Sequence, residues 1–475
     1  QVVHVDAKLF AAKSFCMASR DYHPDDSRAY NPNSSVNRVT LRFEGLKRVS
    51  DQVLLSECRA FRFVRSLQDV QLALEDAHAR LVELRLFKDV RADVSVKESG
   101  VVDIAFVVVE RKRGFSVGGD VDKKGEMSGN ISVEQPAVFG GPLSATATCS
   151  QAARTQNVNE FLVRLSTPRF GGRRLDWNFD IARSSSDETE ASSYTSQVTN
   201  ALAKISLPSG VHSVTAEAAL ADLRPSEKGW RFPSTEVLQS RLRSVKTSIK
   251  YQFMQTWYLP PPVWCWSLEQ PNIGVRANVE VAGLAGDSAF WRGECHAGTS
   301  WPLPWGLTFG CFGAMGLLLP RDGRSSCLQD RFYLGGPSGS TTILKGFSSR
   351  GIGPMGLCQP MPFDATKRPT GTRRMSDALG GDAMANLFAS ISGPLPIHQA
   401  SEQGAIDARI FGFVGLGTLS LGHRPFGGIL ESLRQGARAS AGIGVGIPLG
   451  GGQFELTLAY PMWAQAHDVQ QSRQL

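Results

Sequence analysis

Few residue spacings in this sequence could support catalysis or ligand binding. Residues 351–356 fit the phosphate-binding pattern G-x-G-x-x-G, but Pro354 lies within them and no βαβ unit surrounds them. We therefore interpret this segment as a loop. The eight cysteines contain no C-x-x-C pair, and the eight histidines are scattered along the chain. The sequence therefore predicts no metal site, no cofactor and no enzymatic activity.

Composition narrows the class of protein. The chain has 475 residues, of which 42% are hydrophobic, and this fraction argues against disorder. A transmembrane helix needs about 18 consecutive apolar residues, whereas the best candidate, residues 309–319, is shorter and interrupted by three glycines. Helical membrane proteins are therefore excluded. A membrane β-barrel is not, because its strands alternate apolar and polar residues.

The net charge of +7 raises the question of a nucleic-acid partner. Basic residues alternate with acidic ones along the predicted strands, which is typical of a polar lumen and of contact with a membrane surface. We therefore expect no nucleic acid to bind. The cluster Arg111, Lys112 and Arg113 lies where two predicted domains join, and we expect lipid head groups to contact it.

The first part of the chain predicts a small mixed domain after a mobile leader. Residues 1–35 mix charge, serine, asparagine and proline with little periodicity. Residues 36–113 then predict the order strand, helix, helix, strand, strand. The clearest helix spans residues 66–87, where apolar residues recur every three or four positions and form one stripe (Leu67, Val70, Leu74, Ala77, Leu81 and Leu84).

From residue 114 onward the pattern is all-β. Residues 175–181, 245–253, 273–281 and 454–460 alternate apolar with polar side chains. These strands reach about ten residues, which is longer than the usual five or six of soluble sheets. The pattern favours a lipid-facing barrel over a soluble β-sandwich, and 360 residues would supply roughly sixteen strands.

Three motifs follow one another towards the C-terminus. Residues 330–337 are D-R-F-Y-L-G-G-P, residues 344–347 are L-K-G-F, and residues 378–383 are A-L-G-G-D-A. This order resembles the barrel-assembly family shared by the bacterial outer-membrane assembly factor and the central barrel of the mitochondrial sorting and assembly machinery. Their motif positions correspond here to Phe332, Leu334, Gly335, Gly336, Leu344, Lys345, Gly346, Phe347, Gly380, Gly381 and Asp382.

The resemblance implies a fold, a location and a function. Residues 36–113 would be one polypeptide-transport-associated (POTRA) domain, of α+β class, and residues 114–475 an antiparallel transmembrane β-barrel. A single POTRA domain favours the mitochondrial branch, with the barrel in the outer membrane and the POTRA domain facing the intermembrane space. The protein would insert and fold unfolded β-barrel precursors there, together with accessory subunits of a sorting and assembly complex and with membrane lipids.

Two departures from the family pattern stand out. In the family, the loop with [IV]-R-G-F folds back inside the barrel, and its arginine engages acidic or polar wall residues. Lys345 takes that place here and lacks the planar fork of arginine, which implies a weaker or solvated salt bridge. Residues 452–463 look like the penultimate strand and residues 465–475 are polar. The last strand is therefore expected to be missing from this chain.

The first barrel strand, residues 115–121, is expected to form a lateral seam with the last strand. Gly118 and Gly119 would weaken its packing, although an ordinary β-bulge explains them equally well. A precursor strand would add to this edge through main-chain hydrogen bonds. The candidate gate residues are Phe115, Val117, Gly118, Gly119 and Val121.

Two other functions remain open from the sequence. A polypeptide-translocating or solute channel of the same superfamily would keep the barrel and use its polar lumen for selectivity. A soluble β-rich binding protein or enzyme would show alternation without a membrane. The expected inward loop and the POTRA-like domain argue against a simple pore.

Overall fold

The structure is a computed structural model of the whole chain. It describes residues 2–5, 36, 38–97, 101–121, 127–152, 159–169, 174–226, 231–260, 270–321, 326–336, 344–360, 375–395, 408–422, 431, 434–449 and 452–470. Among these residues, no helix is both long enough and apolar enough to cross a membrane.

The elements of the N-terminal part are one mixed sheet with two α-helices. They are β1 (Val2–Val5), β2 (Arg38–Glu44), α1 (Asp51–Glu57), a 3-10 helix (Arg59–Arg62), α2 (Leu67–Glu83), β3 (Phe87–Lys97) and β4 (Val101–Glu110). The strand order in this sheet is β1-β2-β4-β3, with β2 parallel to β4 and the other pairs antiparallel.

The rest of the chain is dominated by long strands. They are β5 (Gly114–Val121), β6 (Met127–Val138), β7 (Leu143–Ala152), β8 (Asn159–Thr167), β9 (Asp176–Asp187), β10 (Tyr194–Ser206), β11 (His212–Pro225), β13 (Arg243–Tyr258), β14 (Asn272–Gly286), β15 (Phe290–Pro302), β16 (Thr308–Pro320), β20 (Ala383–Pro394), β21 (Arg409–Ser420), β22 (Arg438–Leu449) and β23 (Gly452–Trp463).

Shorter elements lie in the connections between these strands. They are α3 (Thr189–Ser192), β12 (Arg231–Phe232), α4 (Thr235–Leu238), a 3-10 helix (Pro304–Gly306), β17 (Met355–Leu357), β18 (Gln359–Pro360) and β19 (Ser376–Ala378). β12 pairs with β18 and β17 pairs with β19, both antiparallel.

The long strands form one sheet of fifteen strands. Each strand lies beside its neighbours in chain order, from β5 at one end to β23 at the other. This is close to the expected sixteen, and the expected penultimate strand at residues 452–463 is the last strand of the order. The glycine-rich segment that fits G-x-G-x-x-G is a loop ending in β17, as predicted, and no helix follows it in the described residues.

The chain divides into two compact units. Unit 1 comprises residues 1–116, 132–147 and 163–179, and unit 2 comprises residues 117–131, 148–162 and 180–475. The predicted domain boundary between residues 113 and 114 falls inside unit 1, which continues to residue 116. Unit 1 also includes two turns between strands of the large sheet.

The core of unit 1 follows the predicted apolar stripe. Helix α2 begins at a capping box, in which Ser66 and Asp69 each bind the backbone of the other. Its residues Val70, Ala73, Ala77 and Leu81 share one buried core with the alternate residues Val102, Ile104, Phe106 and Val108 of β4, and Leu67 is buried as well.

One short strand lies within the predicted mobile leader. Val2–Val5 forms β1 and pairs with residues 39–42 of β2. Without β1, the outer edge of β2 would present unpaired backbone groups, and the addition of a strand satisfies them. Residues 6–35 lie outside the described residues.

A bidentate ion pair links the mixed domain to one of the two turns. The guanidinium of Arg169, which lies after β8, donates to both carboxylate oxygens of Glu57 over 3.1 and 3.0 Å. Both side chains are about nine-tenths buried, at 8% and 10% exposure. A buried charge without a partner is costly, so this pair holds the end of α1 against the turn.

Glu110 fixes the loop that follows β2. One of its carboxylate oxygens accepts hydrogen bonds from the backbone N–H groups of Lys47, Arg48 and Val49, at 2.7, 2.9 and 3.0 Å. Partial burial acts to raise the pKa of Glu110, but the three N–H donors outweigh it and hold that pKa below its usual value.

We expect Glu110→Gln to loosen this loop in a pH-dependent way. The folded-state pKa of Glu110 lies below its unfolded value of about 4.3, so the stabilisation is complete above about pH 4.3 and disappears as the pH falls through the folded value. At pH 7 the variant should exchange the amide hydrogens of residues 47–49 about fivefold faster, equivalent to about 1 kcal/mol.

Hydrogen exchange by mass spectrometry on the intact protein measures this difference. Comparison of variant and parent at each pH cancels the intrinsic pH dependence of exchange. A difference that stays constant between pH 7 and pH 3 would contradict the assignment to the carboxylate.

Candidate functional site

The three sequence motifs lie together in unit 2. Phe332 and Gly381 form an antiparallel bridge, with the N–H of each donating to the carbonyl oxygen of the other over 2.9 Å. The neighbouring Gly380 has a φ of 69°, and a Cβ there would lie 2.9 Å from the carbonyl oxygen of Phe332. Only glycine fits this close approach. The glycines of the L-G-G-D-A motif therefore let its backbone pair with that of the F-x-L-G-G motif.

Asp382 completes this junction. Its carboxylate accepts a hydrogen bond of 2.6 Å from Ser326 Oγ, and its N–H donates to the carbonyl of Ser420 over 2.8 Å. Arg331 in turn donates to Ser326 Oγ over 2.8 Å. The aspartate therefore connects the loop before the F-x-L-G-G motif with the end of β21.

Residues 326–336 and 344–360, here called the motif loop, pack an apolar ridge onto the sheet. Leu334, Leu344 and Phe347 are completely buried. A Cβ at Gly417 of β21 would lie 2.7 Å from Leu334 Cδ2, and one at Gly415 would lie 2.9 Å from Leu344 Cδ1. The two glycines therefore leave the space that the loop leucines fill.

Lys345 lies among three aromatic rings. Its ammonium nitrogen is 4.8 Å from the ring centre of Phe411, 5.1 Å from that of Phe413 and 5.6 Å from that of Phe388. The same nitrogen forms an ion pair with Glu455 of β23. Cation–π contacts of this kind contribute about 0.5–2 kcal/mol each, more when they are desolvated.

The expectation of a weaker or solvated bond at Lys345 is wrong with respect to solvation. The side chain is only 8% exposed, and that of Glu455 is 19% exposed. Thr457 Oγ1 donates to the same carboxylate over 2.7 Å. The aromatic rings compensate for the missing guanidinium fork, because they stabilise the ammonium on the side that the carboxylate does not reach.

Between the rings and the carboxylate, β22 has only glycines on this face, at positions 442, 444 and 446. In the register of the sheet, Gly444 of β22 lies between Phe411 of β21 and Thr457 of β23. A Cβ at Gly444 would lie 2.4 Å from the ring of Phe411, so the ring covers the glycine. Because these β22 residues are small, the ammonium of Lys345 can contact both the rings of β21 and the carboxylate of Glu455 on β23.

The remaining positions of the L-K-G-F motif lie along β23 and beyond its end. Gly346 has a φ of 89°, and a Cβ there would lie 3.4 Å from the backbone nitrogen of Pro461. Phe347 forms an antiparallel bridge with Gln470. The motif loop therefore runs along the strand at one end of the sheet.

A second set of charges holds the start of the motif loop. Lys246 of β13 lies 3.2 Å from Asp330, 3.4 Å from Glu280 and 3.8 Å from Glu217. The guanidinium of Arg292 donates to the carbonyl of Asp330 over 3.0 Å and stacks on Phe332 at 4.6 Å. These wall residues explain how an acidic residue can be buried at the start of the F-x-L-G-G motif.

The candidate gate residues lie in β5, at the other end of the strand order from β23. Phe115 and Val117 are each 69% exposed. Gly118 lies beside β6, where a Cβ would come within 2.5 Å of the amide oxygen of Asn130. Gly119 and Val121 belong to the same strand. The structure thus gathers the motif residues in one place, and the gate residues belong to the strand at the other end of the strand order.

Within the described residues there is no group of three or more histidine, cysteine or acidic side chains placed to hold a metal ion. Among the cysteines that the structure describes, Cys58 and Cys358 are buried, Cys149 is exposed and three others are half-buried. Burial raises the pKa of Cys58 to about 12, so its thiol stays protonated.

A model of the Omp85 superfamily domain matches residues 138–474. The chain belongs to the Omp85 superfamily. Among curated relatives, sorting and assembly machinery component 50 homolog A of Xenopus laevis is 23% identical over 461 residues. The human homolog is 23% identical over 464 residues. Each alignment covers 94% of this chain and 91% of the relative.

A solved structure supports the fold. BamA from Haemophilus ducreyi lacking POTRA domains 1–3 superposes with a TM-score of 0.67 at 18% identity, over 91% of this chain and 82% of that chain. Together with the fifteen-stranded sheet, this confirms the predicted fold, a POTRA-like α+β part followed by an antiparallel outer-membrane β-barrel. The resemblance to the barrel-assembly family is confirmed as well.

Sequence reasoning missed the wall residues of this Omp85 site. Phe411, Phe413, Gly415 and Gly417 occupy alternate positions of β21, while Val414 on the opposite face is 54% exposed. The period of two was therefore present as F-x-F-x-G-x-G. In the sequence, Glu455 is one polar residue of an alternating strand, and nothing there shows which strand faces Lys345.

We expect Lys345→Met to destabilise unit 2 by about 3 kcal/mol, because it leaves the Glu455 carboxylate buried without its cation. The double variant Lys345→Met with Glu455→Met should recover part of this loss. Urea unfolding in detergent micelles, followed by tryptophan fluorescence, measures both. Equal losses in the single and double variants would show that the ion pair does not couple the loop to β23.

We expect Gly417→Ala to displace Leu334, at a cost of about 1–3 kcal/mol from overpacking. Gly412→Ala is the matched control on the same strand, since its Cβ would meet nothing closer than 4.0 Å. The same unfolding measurement compares the two. If both variants behave alike, the glycine face of β21 is not the site of the loop.

Proposed function

We propose that this protein inserts and folds β-barrel precursor proteins in the mitochondrial outer membrane. An incoming precursor strand would add to the sheet at a lateral seam between β5, the first strand of the sheet, and the last strand of the barrel. The partners would be unfolded precursors, accessory subunits of a sorting and assembly complex, and membrane lipids, with the POTRA-like domain in the intermembrane space. The superfamily groups assembly factors rather than classical enzymes.

The relatives support the biological setting. The curated proteins that match almost the whole chain bear the name sorting and assembly machinery component 50 homolog, and they come from animals that include frogs and humans. The alignment reaches across the mixed domain, the sheet and all three motifs, since it covers 94% of the chain. A shared function is therefore expected for the whole chain rather than for one part.

The observation that carries the proposal is the position of the motif loop beside an end strand. β5 and β23 are the two ends of the strand order, and each end strand offers main-chain donors and acceptors along one edge. Lys345 is paired with Glu455 of β23, and the loop runs along that strand. The loop thus holds the shape of the strand that stands at this end of the described sheet.

β5 has the properties of the opposite edge. It is eight residues long, against sixteen for β13, and its sequence contains Gly118 and Gly119. Short strands with glycine make weak ladders, because fewer hydrogen bonds form and fewer side chains pack. Exchange of a weak natural pairing for a precursor strand costs little, and this favours strand addition at β5.

A channel is the other function that the fold permits. The motif loop and the sheet strands share a core of eleven buried residues, to which the loop contributes Leu334, Leu344 and Phe347 among others. The loop therefore fills space on this face of the sheet. A resting solute pore requires this volume to be open. The packed loop therefore favours assembly over passive conduction.

We expect cysteines introduced at Phe115 and Val117 to form disulfides with the terminal strand of an arrested barrel precursor. Antiparallel pairing predicts that a shift of one residue on β5 shifts the preferred partner by one residue in the opposite direction. Oxidation of isolated mitochondria, followed by mass spectrometry of linked peptides, measures the register.

The control is Val279→Cys in β14, an inner strand of the sheet, where the side chain is 45% exposed. Diffusional contact would link all three positions to the precursor without a fixed register. That result, or no linkage at β5 while precursors still assemble, would exclude strand addition there.

A further inference from the structure

A completely buried ion pair lies beyond the end of the last strand of the sheet. Arg438, the first residue of β22, and Asp468, five residues after β23, have side-chain exposures of 2% and 0%. The pair is bidentate: Arg438 Nε donates to Asp468 Oδ2 over 3.0 Å, and Nη2 donates to Oδ1 over 2.9 Å. Neither the motifs nor the proposed seam includes these two residues.

The remaining polar groups of the pair hold the segment after β23 in one shape. Arg438 also donates to the side-chain oxygen of Gln465 over 3.0 Å and to the carbonyl of Gly436, and lies 3.3 Å from His467 Nε2. The carboxylate of Asp468 accepts the N–H of Gln465 over 2.6 Å. Residues 465–468 thus form a turn around the guanidinium, because a buried arginine fork requires its partners in fixed directions.

The two residues after Asp468 bind the motif loop through their backbones. Ser348 N–H donates to the carbonyl of Val469, and Val469 N–H donates to the carbonyl of Gly351, each over 2.9 Å. Phe347 and Gln470 form the antiparallel bridge described above. A Cβ at Gly351 would lie 2.5 Å from the Val469 carbonyl oxygen, so the approach requires glycine at that position.

We propose that Arg438 and Asp468 are positioning residues for the motif loop. The pair fixes residues 465–468, and these present Val469 and Gln470 as a short backbone ladder to residues 347–351. The loop is then tied to the last strand at two separate places, at Glu455 within the strand and at Val469 beyond its end. This inference deepens the proposed assembly function and rests on it for its effect on precursors.

The register of the sheet explains why an arginine is needed at this position. Arg438 lies opposite Gly417 of β21, on the same face as the glycines that accommodate the loop leucines. From there its side chain reaches Asp468, five residues beyond the end of β23. Only a long cation with several donors can also satisfy the buried Asp468, and a lysine would leave part of the carboxylate unpaired.

A disulfide between the loop and the segment tests the positioning role directly. The full chain with Ser348→Cys and Val469→Cys is expressed in cells depleted of their own protein, with Arg438 retained or changed to Met or Lys. The first measurement is the yield of the linked peptide after brief oxidation, by mass spectrometry. We expect a high yield with Arg438, an intermediate yield with Arg438→Lys, and a yield several-fold lower with Arg438→Met.

The second measurement is the rate of precursor assembly in isolated mitochondria. Without oxidant, Arg438→Met should assemble precursors several-fold more slowly, because the loop loses the backbone ladder that Val469 offers it. Once the disulfide has formed, the rate should return to that of the parent. The control disulfide uses Leu357→Cys with Ser376→Cys, an antiparallel pair in β17 and β19 that leaves the segment after β23 untied. It should restore nothing.

The outcomes separate the possibilities. An unchanged disulfide yield in Arg438→Met, or a slow variant that the disulfide does not restore, would overturn the positioning role and leave the pair a structural one. An unchanged assembly rate despite a reduced yield would overturn it too. A parent protein that forms the disulfide normally but promotes no precursor assembly would instead contradict the proposed function and leave the loop geometry intact.

Discussion

The buried ammonium of Lys345 is the constraint on which the functional part of this molecule depends. A cation removed from water needs a compensating charge and a polarisable surround, or the motif loop would not stay folded against the sheet. Glu455 supplies the charge from β23, and the rings of Phe388, Phe411 and Phe413 supply the surround. Three non-adjacent parts of the chain must therefore meet at one atom.

The local sequence of several strands follows from this meeting point. One face of β21 carries two rings followed by two glycines, so that the rings lie beside Lys345 and the glycines lie beside Leu344 and Leu334. β22 has Gly442, Gly444 and Gly446 on the same face, so no side chain stands between Lys345 and Glu455 there. β23 places small or polar residues, Thr457 and Ala459, on that face beside the glutamate. Each pattern would weaken an ordinary sheet, and the loop replaces the packing that is lost.

Much of the fold follows from the sequence because its causes are local. Alternation with a period of two defines the strands, and the stripe of α2 with its Ser66–Asp69 cap defines the main helix. The three motifs locate the loop, because glycine at positions such as 380 is required by a positive φ and a close backbone approach. These features are properties of short segments, and no distant partner changes them.

The partners of the loop could not be predicted in the same way. Lys345 and Glu455 are 110 residues apart, and Arg169 and Glu57 are 112 residues apart. Which acid meets which base depends on strand register across many neighbours, and a shift of one residue would turn each side chain to the other face. The burial of Lys345 could not be predicted either, since the aromatic rings that permit it lie on strands distant in the sequence.

The bare face of β22 also affects the mechanics of the sheet. Gly442, Gly444 and Gly446 occupy three successive positions on one face, and their partners on β23 are Ala459, Thr457 and Glu455. Resistance of a sheet to bending comes largely from side chains that pack across neighbouring strands, and glycine removes it. β22 therefore acts as a line of low stiffness between the strand that receives the loop and the strand at the end of the sheet. Stiffness along this line comes from the loop itself, so the curvature of the terminal strand is set by a segment outside the sheet.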